Sequence, residues 1–311
     1  MNPIVTVCVL TYNPDWIKFR NTLRSIICQK NVEFDIVISD DGSQENYFDK
    51  AEMYLKEYGF TAYRFIANKQ NQGTVKNTIS ALRNVGSKYV KLISPGDFLY
   101  DENVLAKFVK FAKKNPAVAY FGNAVWYSVN NNEIKIYEDL QQPWDLTPWI
   151  ENDYKKIRRN YLCRFDYILG AAFFCDRAVF WDYINQLGDL AKYIEDFCYF
   201  WQIVDNKKIL YVNDFLVFYE YGFDISTCSS EKWNDLIGKD KTNCMLELYK
   251  YGKISYLEFK LNVTRNYLFI LLLKVLIDPF SIKNLFFIPK DRVIINEQEN
   301  VQKLRCYNFV E

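Results

Sequence analysis

Strand-like and helical stretches alternate along the first hundred residues, and this rhythm limits the fold more than any other feature of the 311-residue chain. The β-branched run at 4–10 (IVTVCVL) is followed by Trp16, Phe19, Leu23, Ile26 and Ile27 at helical spacing. A second run at 34–39 (FDIVIS) precedes a helix at 46–58, and a third strand is predicted at 61–66. Val75, Ile79, Leu82 and Val85 mark a helix that Gly86 stops. Strand 88–93 (KYVKLI) follows, then a helix capped by Asp101 with Leu105, Phe108, Val109 and Ala112 on its apolar face. Strands joined by helices of this length pair in parallel through right-handed crossovers. The chain therefore reads as α/β, with its functional loops at the C-terminal ends of the strands, where open sheets bind ligands.

Those loops are polar. Thr11-Tyr12-Asn13 ends the first strand, and Asn13-Pro14 is predicted as a helix N-cap followed by proline at the first helical position. Asp40-Asp41-Gly42-Ser43 ends the second, and Ser94-Pro95-Gly96-Asp97 ends the fourth. Thr11 and Asp40 come together if the first two strands pair. Asn71, Gly73, Lys76 and Asn77 fall on a loop and first helical turn, whose free N–H groups and positive potential suit a diphosphate or a sugar hydroxyl. Each loop also has a plainer reading: a turn that caps the next helix, a solvated Lys76, or Asp97 as a helix cap.

Beyond residue 115 the rhythm changes. A hairpin is expected at 118–137, turning at Asn130-Asn131-Asn132, then an irregular stretch at 138–165. Helices are predicted at 176–187 and 195–206, strands at 209–219, and mostly helix from 231. A cluster of Ser226, Thr227, Ser229 and Ser230 divides a catalytic unit, 1–228, from a helical extension, 229–311. Trp144 and Trp149 are candidate platforms for acceptor sugars. The apolar run 267–277 (YLFILLLKVLI) is too short to span a bilayer. With Phe280, Ile282, Leu285, Phe286, Phe287, Lys283, Lys290 and Arg292 it reads either as a helix lying on a membrane surface or as a packing or homodimer helix.

Composition narrows the chemistry. Half of the residues are apolar, enough for a sizeable core, and a net charge of +1 with interspersed signs argues against nucleic-acid binding. The eight cysteines form no CxxC pair, so no zinc cluster or redox motif is written, and reduced thiols fit a reducing compartment. No signal peptide follows Met1, and a cytoplasmic location is expected. The chain has no histidine. A general base must then be a carboxylate or, second, Lys, Tyr or Cys. A metal would be held by oxygen, which points to magnesium, manganese or calcium rather than zinc.

Five segments in order carry a resemblance: VTVCVLTYN at 5–13, VISDDGS at 37–43, NQGTVKNTISALRNVGSKYVKLISPGD at 71–97, LGAAFFCDRAVF at 169–180 and EDFCYFW at 195–201. The chain resembles the inverting family 2 glycosyltransferases over roughly its first 220 residues. The resemblance implies a GT-A fold, a mixed and mainly parallel sheet flanked by helices. It also implies transfer of a sugar from a nucleoside-diphosphate sugar, most often UDP-linked, to a hydroxyl of a glycan or lipid-linked acceptor in bacterial surface polysaccharide synthesis. Thr11, Tyr12, Asn13 and Asp40, supported by Asp41, are implied to hold the base and ribose. Asn71, Gly73, Lys76, Asn77, Pro95 and Gly96 complete the donor side, with Lys76 where the family often has arginine. Gly170 and Ala171 are implied to border the acceptor.

Asp97 ends the position of the family's Asp-x-Asp motif, and Ser94 or Pro95 stands where another acid is usual. One carboxylate would therefore hold Mn2+ or Mg2+ with the phosphates and water. Asp196 is implied to be the general base and Glu195 to position the helix or acceptor. The absence of a Gln-x-x-Arg-Trp motif and of transmembrane helices points to non-processive transfer. Two alternatives stand beside this reading. A sugar nucleotidyltransferase would want a glycine-rich basic loop after the first strand, and 10–15 (LTYNPD) is not one. A catalytically inactive binding module would keep the same fold.

Overall fold

The computed structural model describes residues 3–131, 133–222, 231–277 and 293–307. The hairpin tip at Asn132, the boundary cluster Ser226–Ser230, and the Phe280–Phe287 run with Lys283, Lys290 and Arg292 lie outside the described residues.

The first half follows the predicted alternation. Strand β1 (Val5–Thr11), helix α1 (Trp16–Ile27), β2 (Phe34–Asp40), α2 (Phe48–Glu57), β3 (Tyr63–Ala67), α3 (Thr74–Leu82) and β4 (Tyr89–Ile93) succeed one another. β1 pairs in parallel with both β2 and β4, and β2 with β3. Every residue of β1 is buried, as expected of a strand covered by helices on both faces. Its side chains alternate between two cores. Cys8 and Leu10 join Val75, Ile79 and Leu82 of α3 on one face. Val5, Val7 and Val9 join Phe19, Leu23 and Ile26 of α1 on the other. Each such side chain contributes about 1.5–3 kcal/mol when fully buried.

The second half closes the sheet. After β5 (Phe98–Leu99) and α4 (Val104–Lys114) come β6 (Ala119–Asn130), β7 (Glu133–Tyr137) and the short helices α5 (Thr147–Ile150) and α6 (Tyr154–Arg159). β8 (Phe173–Asp176), α7 (Arg177–Leu187), α8 (Phe197–Val204) and β9 (Ile209–Glu220) follow. The sheet order is β3-β2-β1-β4-β8-β6-β9-β5, with β7 paired to β6 as the predicted hairpin. β8 is antiparallel to β4 and β6, whereas β9 runs parallel to β6, so the sheet is mixed.

Two predicted caps differ. Asp15, not Asn13, caps α1, its side chain accepting from the Lys18 N–H at 2.9 Å. Asn13 is drawn instead to the neighbouring loop, with a left-handed φ of 44°. Asp101 does not cap α4. It accepts from the Asn103 N–H at 2.8 Å and pairs with Lys107. Helix α3 ends at Leu82, a turn before Gly86.

The C-terminal helices α9 (Glu231–Lys250), α10 (Tyr256–Val263) and α11 (Tyr267–Ile277) lie against the α3 face, where Cys244, Met245, Leu248, Leu261 and Leu273 enter the same core. α12 (Glu297–Arg305) places Leu304 in the opposite core. α11 leaves Tyr267, Leu268, Leu272 and Leu276 exposed. Among the described residues no helix is long and apolar enough to cross a membrane.

One expectation about the acceptor is overturned by packing. Trp149 is only 4% exposed, its ring 4.7 Å from Phe121 and 6.3 Å from Tyr161, so it fills core and offers no face to a sugar. Trp149→Ala should cost about 3–5 kcal/mol of stability by leaving a large cavity. Urea unfolding reads this directly, and a variant as stable as the parent would return Trp149 to the surface roles.

Candidate active site

The ends of β1 and β2 are clamped side by side. Thr11 and Asp40 are register partners, and the Thr11 hydroxyl donates to Asp40 Oδ1 at 3.0 Å. Asp40 Oδ2 accepts the Ser43 N–H at 2.8 Å. Ser43 Oγ accepts the Asn13 N–H at 2.6 Å, and Asn13 Oδ1 accepts the Gln44 N–H at 3.1 Å. The two loops thus form one rigid rim, with Tyr12 beside them 52% exposed and Asp40 buried.

The N-terminus of α3 is not open in the way its sequence implies. Asp41 accepts the N–H groups of Gln72 and Gly73, at 3.0 and 2.7 Å, and the Asn68 amide at 3.2 Å. The carbonyl of Lys192 accepts the Val75 N–H at 3.1 Å. An internal carboxylate therefore occupies the positive end of the helix. Gly73 is required there, because at φ 90° a Cβ would overlap the Lys192 backbone. Asn77 is buried, its amide donating to the Ser39 carbonyl at 3.0 Å and its oxygen accepting the Ser39 hydroxyl at 2.7 Å. Gly73 and Asn77 hold the rim together, Asn71 is partly buried, and Lys76 alone of this group is exposed.

The 94–97 turn is pinned from three directions. The Gly96 N–H donates to Thr22 Oγ1 at 3.1 Å, the Thr22 hydroxyl donates to the Asp97 carbonyl at 2.9 Å, and the Tyr127 hydroxyl donates to the Gly96 carbonyl. Asp97 Oδ1 accepts the Glu220 N–H at 3.2 Å. Two side chains that sequence reasoning misses stand here. Glu220, at the end of β9, sits so close that a Cβ on Gly96 would overlap its carboxylate, and both its oxygens are 2.7 Å from Lys18 Nζ. Lys91 is a fully buried lysine within β4, its amine donating to the carbonyls of Leu92, at 2.7 Å, and Ala171. Burial holds its ammonium well below the usual lysine range, opposed by the charge of Asp97. A lysine in the middle of a strand covered on both faces is its only signal in the sequence; Glu220 and Lys18 are too distant along the chain to give one.

Ser94, Asp97, Glu195 and Asp196 line one cavity of about 380 Å³. Gly170 and Ala171 line it too, and a Cβ on Gly170 would come 3.0 Å from Asp196 Cβ. Neither Trp144 nor Trp149 lines this cavity. Trp144 instead donates its backbone N–H to Asp166 at 2.7 Å. Asp196 immediately precedes α8, is exposed, and lines the cavity. Desolvation raises its pKa, partly offset by its own and the Phe197 N–H groups. The carboxylate lies on the cavity wall, where a hydroxyl can reach it.

Helix α9 supplies a further wall through Ile237 and Lys241. Asp240 beside them accepts the N–H groups of Lys192 and Tyr193, both at 2.8 Å, and so fixes the segment that leads to Glu195 and Asp196.

A sheet of this order, with its loops converging on such a cleft, is a GT-A-type fold, the architecture of a class of glycosyltransferases. The profile of glycosyl transferase family 2 matches residues 6–184, more than half of the chain, and the protein belongs to that family. None of the curated proteins compared with the sequence matches it. Among solved structures, S. aureus TarS 1-349 in complex with UDP-GlcNAc is 15% identical with a TM-score of 0.54, over 99% of this chain and 80% of that one. The same protein in complex with UDP gives 14% and 0.54, over 91% and 75%. A mannosyltransferase of Pyrobaculum calidifontis in complex with GDP-Man and Mn2+ gives 13% and 0.52, over 82% and 66%. At these identities the likeness is one of fold.

Proposed function

We propose that the protein transfers a sugar, with inversion, from a nucleoside-diphosphate sugar, UDP-linked by preference, to a hydroxyl of a glycan or lipid-linked acceptor. The observation that carries this reading is that Asp97 and Asp196 line the same cavity. The nucleotide would lie along the Thr11–Asp40 rim with Tyr12 over it, and the anomeric carbon would project into the cavity. As the acceptor oxygen bonds to that carbon, the bond to the diphosphate breaks from the opposite face and the acceptor proton passes to Asp196. Glu195 positions the acceptor or the start of α8.

The residues present fit a divalent cation of the Mn2+ or Mg2+ type, which binds through one or two carboxylates plus substrate phosphates. Asp97 would hold it, with Glu220 alongside, although no group of three or more acidic, cysteine or histidine ligands occurs among the described residues. When bound, the cation would supply charge to stabilise the departing diphosphate. We take residues 1–228 as the catalytic unit and 229–311 as a helical extension that braces it.

Calorimetry with UDP and GDP, each with and without Mn2+, paired with an assay of donor hydrolysis, tests the proposal. Metal-dependent nucleotide binding together with slow release of free sugar is expected. Binding without any hydrolysis or transfer would leave a nucleotide-binding module instead, and no binding at all would remove the donor site.

A further inference from the structure

The cavity wall formed by α9 carries a lysine that a neutral sugar does not require. Lys241 of α9 lines the cavity, with its Nζ 3.2 Å from the Tyr167 hydroxyl and 4.9 Å from the centre of the Phe165 ring. Lys274 of α11, outside the cavity lining, approaches the same ring, its Nζ 4.6 Å from the centre. Neither ammonium meets a carboxylate among the described residues, and burial lowers the proton affinity of both. Arg164 is the next cation, and it already faces Asp145 at 3.9 Å.

Two cations on one aromatic ring repel each other, and the gain of about 2 kcal/mol or more for a desolvated cation on a ring is set against several kcal/mol of desolvation. Folding alone therefore gives no reason to gather them here without a counter-charge. Around them the surface is apolar. Tyr161, Tyr167 and Phe200 line the cavity, while α11 exposes Leu268 and Leu272 on a face turned away from Lys274.

We propose that the acceptor carries a phosphate ester or diphosphate, and that Lys241 and Lys274 bind it while the acceptor hydroxyl reaches Asp196. The proposal rests on the glycosyltransferase reading above, because it takes this cavity to be the acceptor side. A phosphate monoester carries about two negative charges at neutral pH, which matches the two ammoniums. Its source is either a lipid-linked phosphate, whose chain would follow the apolar lining, or a water-soluble phosphate ester.

The full chain is titrated with farnesyl phosphate, farnesol and glycerol 3-phosphate, and separately with UDP and Mn2+. Farnesyl phosphate is expected to bind the parent, to bind Lys241→Met/Lys274→Met about tenfold or more weakly, and to recover with Lys241→Arg/Lys274→Arg. Farnesol should bind all three proteins weakly and equally. Glycerol 3-phosphate binding as well as farnesyl phosphate, with the same lysine dependence, would support the phosphate site and assign it to a soluble acceptor. Phosphate probes that bind the methionine variant, still folded by circular dichroism, as well as the parent would overturn the proposal. Failure of the parent protein to bind UDP would instead sink the glycosyltransferase reading, and the two failures are read from different titrations.

Discussion

Asp196→Asn should lower turnover about 100- to 10,000-fold, the range typical of a positioned general base, while leaving nucleotide affinity nearly unchanged. Asparagine keeps the size of the side chain and one acceptor oxygen, so α8 should start as before, but it cannot take up the acceptor proton. The separation of rate from binding follows from the geometry. Asp196 lines the cavity with Gly170 and Ala171, whereas Thr11 and Asp40 form the rim at the ends of β1 and β2.

A pH profile gives a second check. Desolvation at the cavity wall raises the Asp196 pKa, and only its carboxylate form can accept the proton. Activity should therefore fall as the pH drops through that raised value, at a higher pH than an ordinary aspartate would give, and the variant should lack this acid limb. Normal turnover in a variant that binds nucleotide would remove Asp196 from the mechanism and leave Glu195 as the candidate.

What is legible in the sequence is local. The strand–loop–helix units of the first hundred residues carry their own punctuation, so the pairing of Thr11 with Asp40 and the 94–97 turn follow from the residue pattern alone. Contacts made by distant segments do not. Lys18 and Glu220 are 202 positions apart and meet only because β9 runs beside β6 and ends at the Asp97 turn. Asp240 lies in a part of the chain without a family motif, yet its carboxylate fixes the segment before Glu195.

The N-terminus of α3 departs from expectation for a related reason. Free N–H groups follow from helix geometry, but the loop after β2 delivers Asp41 to them, and the 188–196 segment brings up the Lys192 carbonyl. Trp149 departs from expectation because tryptophan suits both a core and a sugar platform, and only burial separates the two.

Asp97→Asn should abolish the Mn2+ enhancement of UDP binding and lower metal-supported turnover on the order of 100- to 1,000-fold. Charge stabilisation by a bound cation is worth several kcal/mol, and each 1.36 kcal/mol is about a factor of ten in rate. Asparagine is preferred to alanine because Asp97 Oδ1 accepts the Glu220 N–H at 3.2 Å, and the amide oxygen can keep that bond. The Thr22 and Tyr127 bonds to the turn use backbone atoms and are untouched by the change. The turn should therefore survive, and UDP affinity in chelator should match that of the parent protein, since the Thr11–Asp40 rim is intact. Calorimetry with and without Mn2+ reads the metal effect without depending on turnover. Retention of the Mn2+ enhancement by the variant would show that Asp97 is not the ligand. Glu220 would then be the remaining carboxylate at this turn, held in place by Lys18 at 2.7 Å.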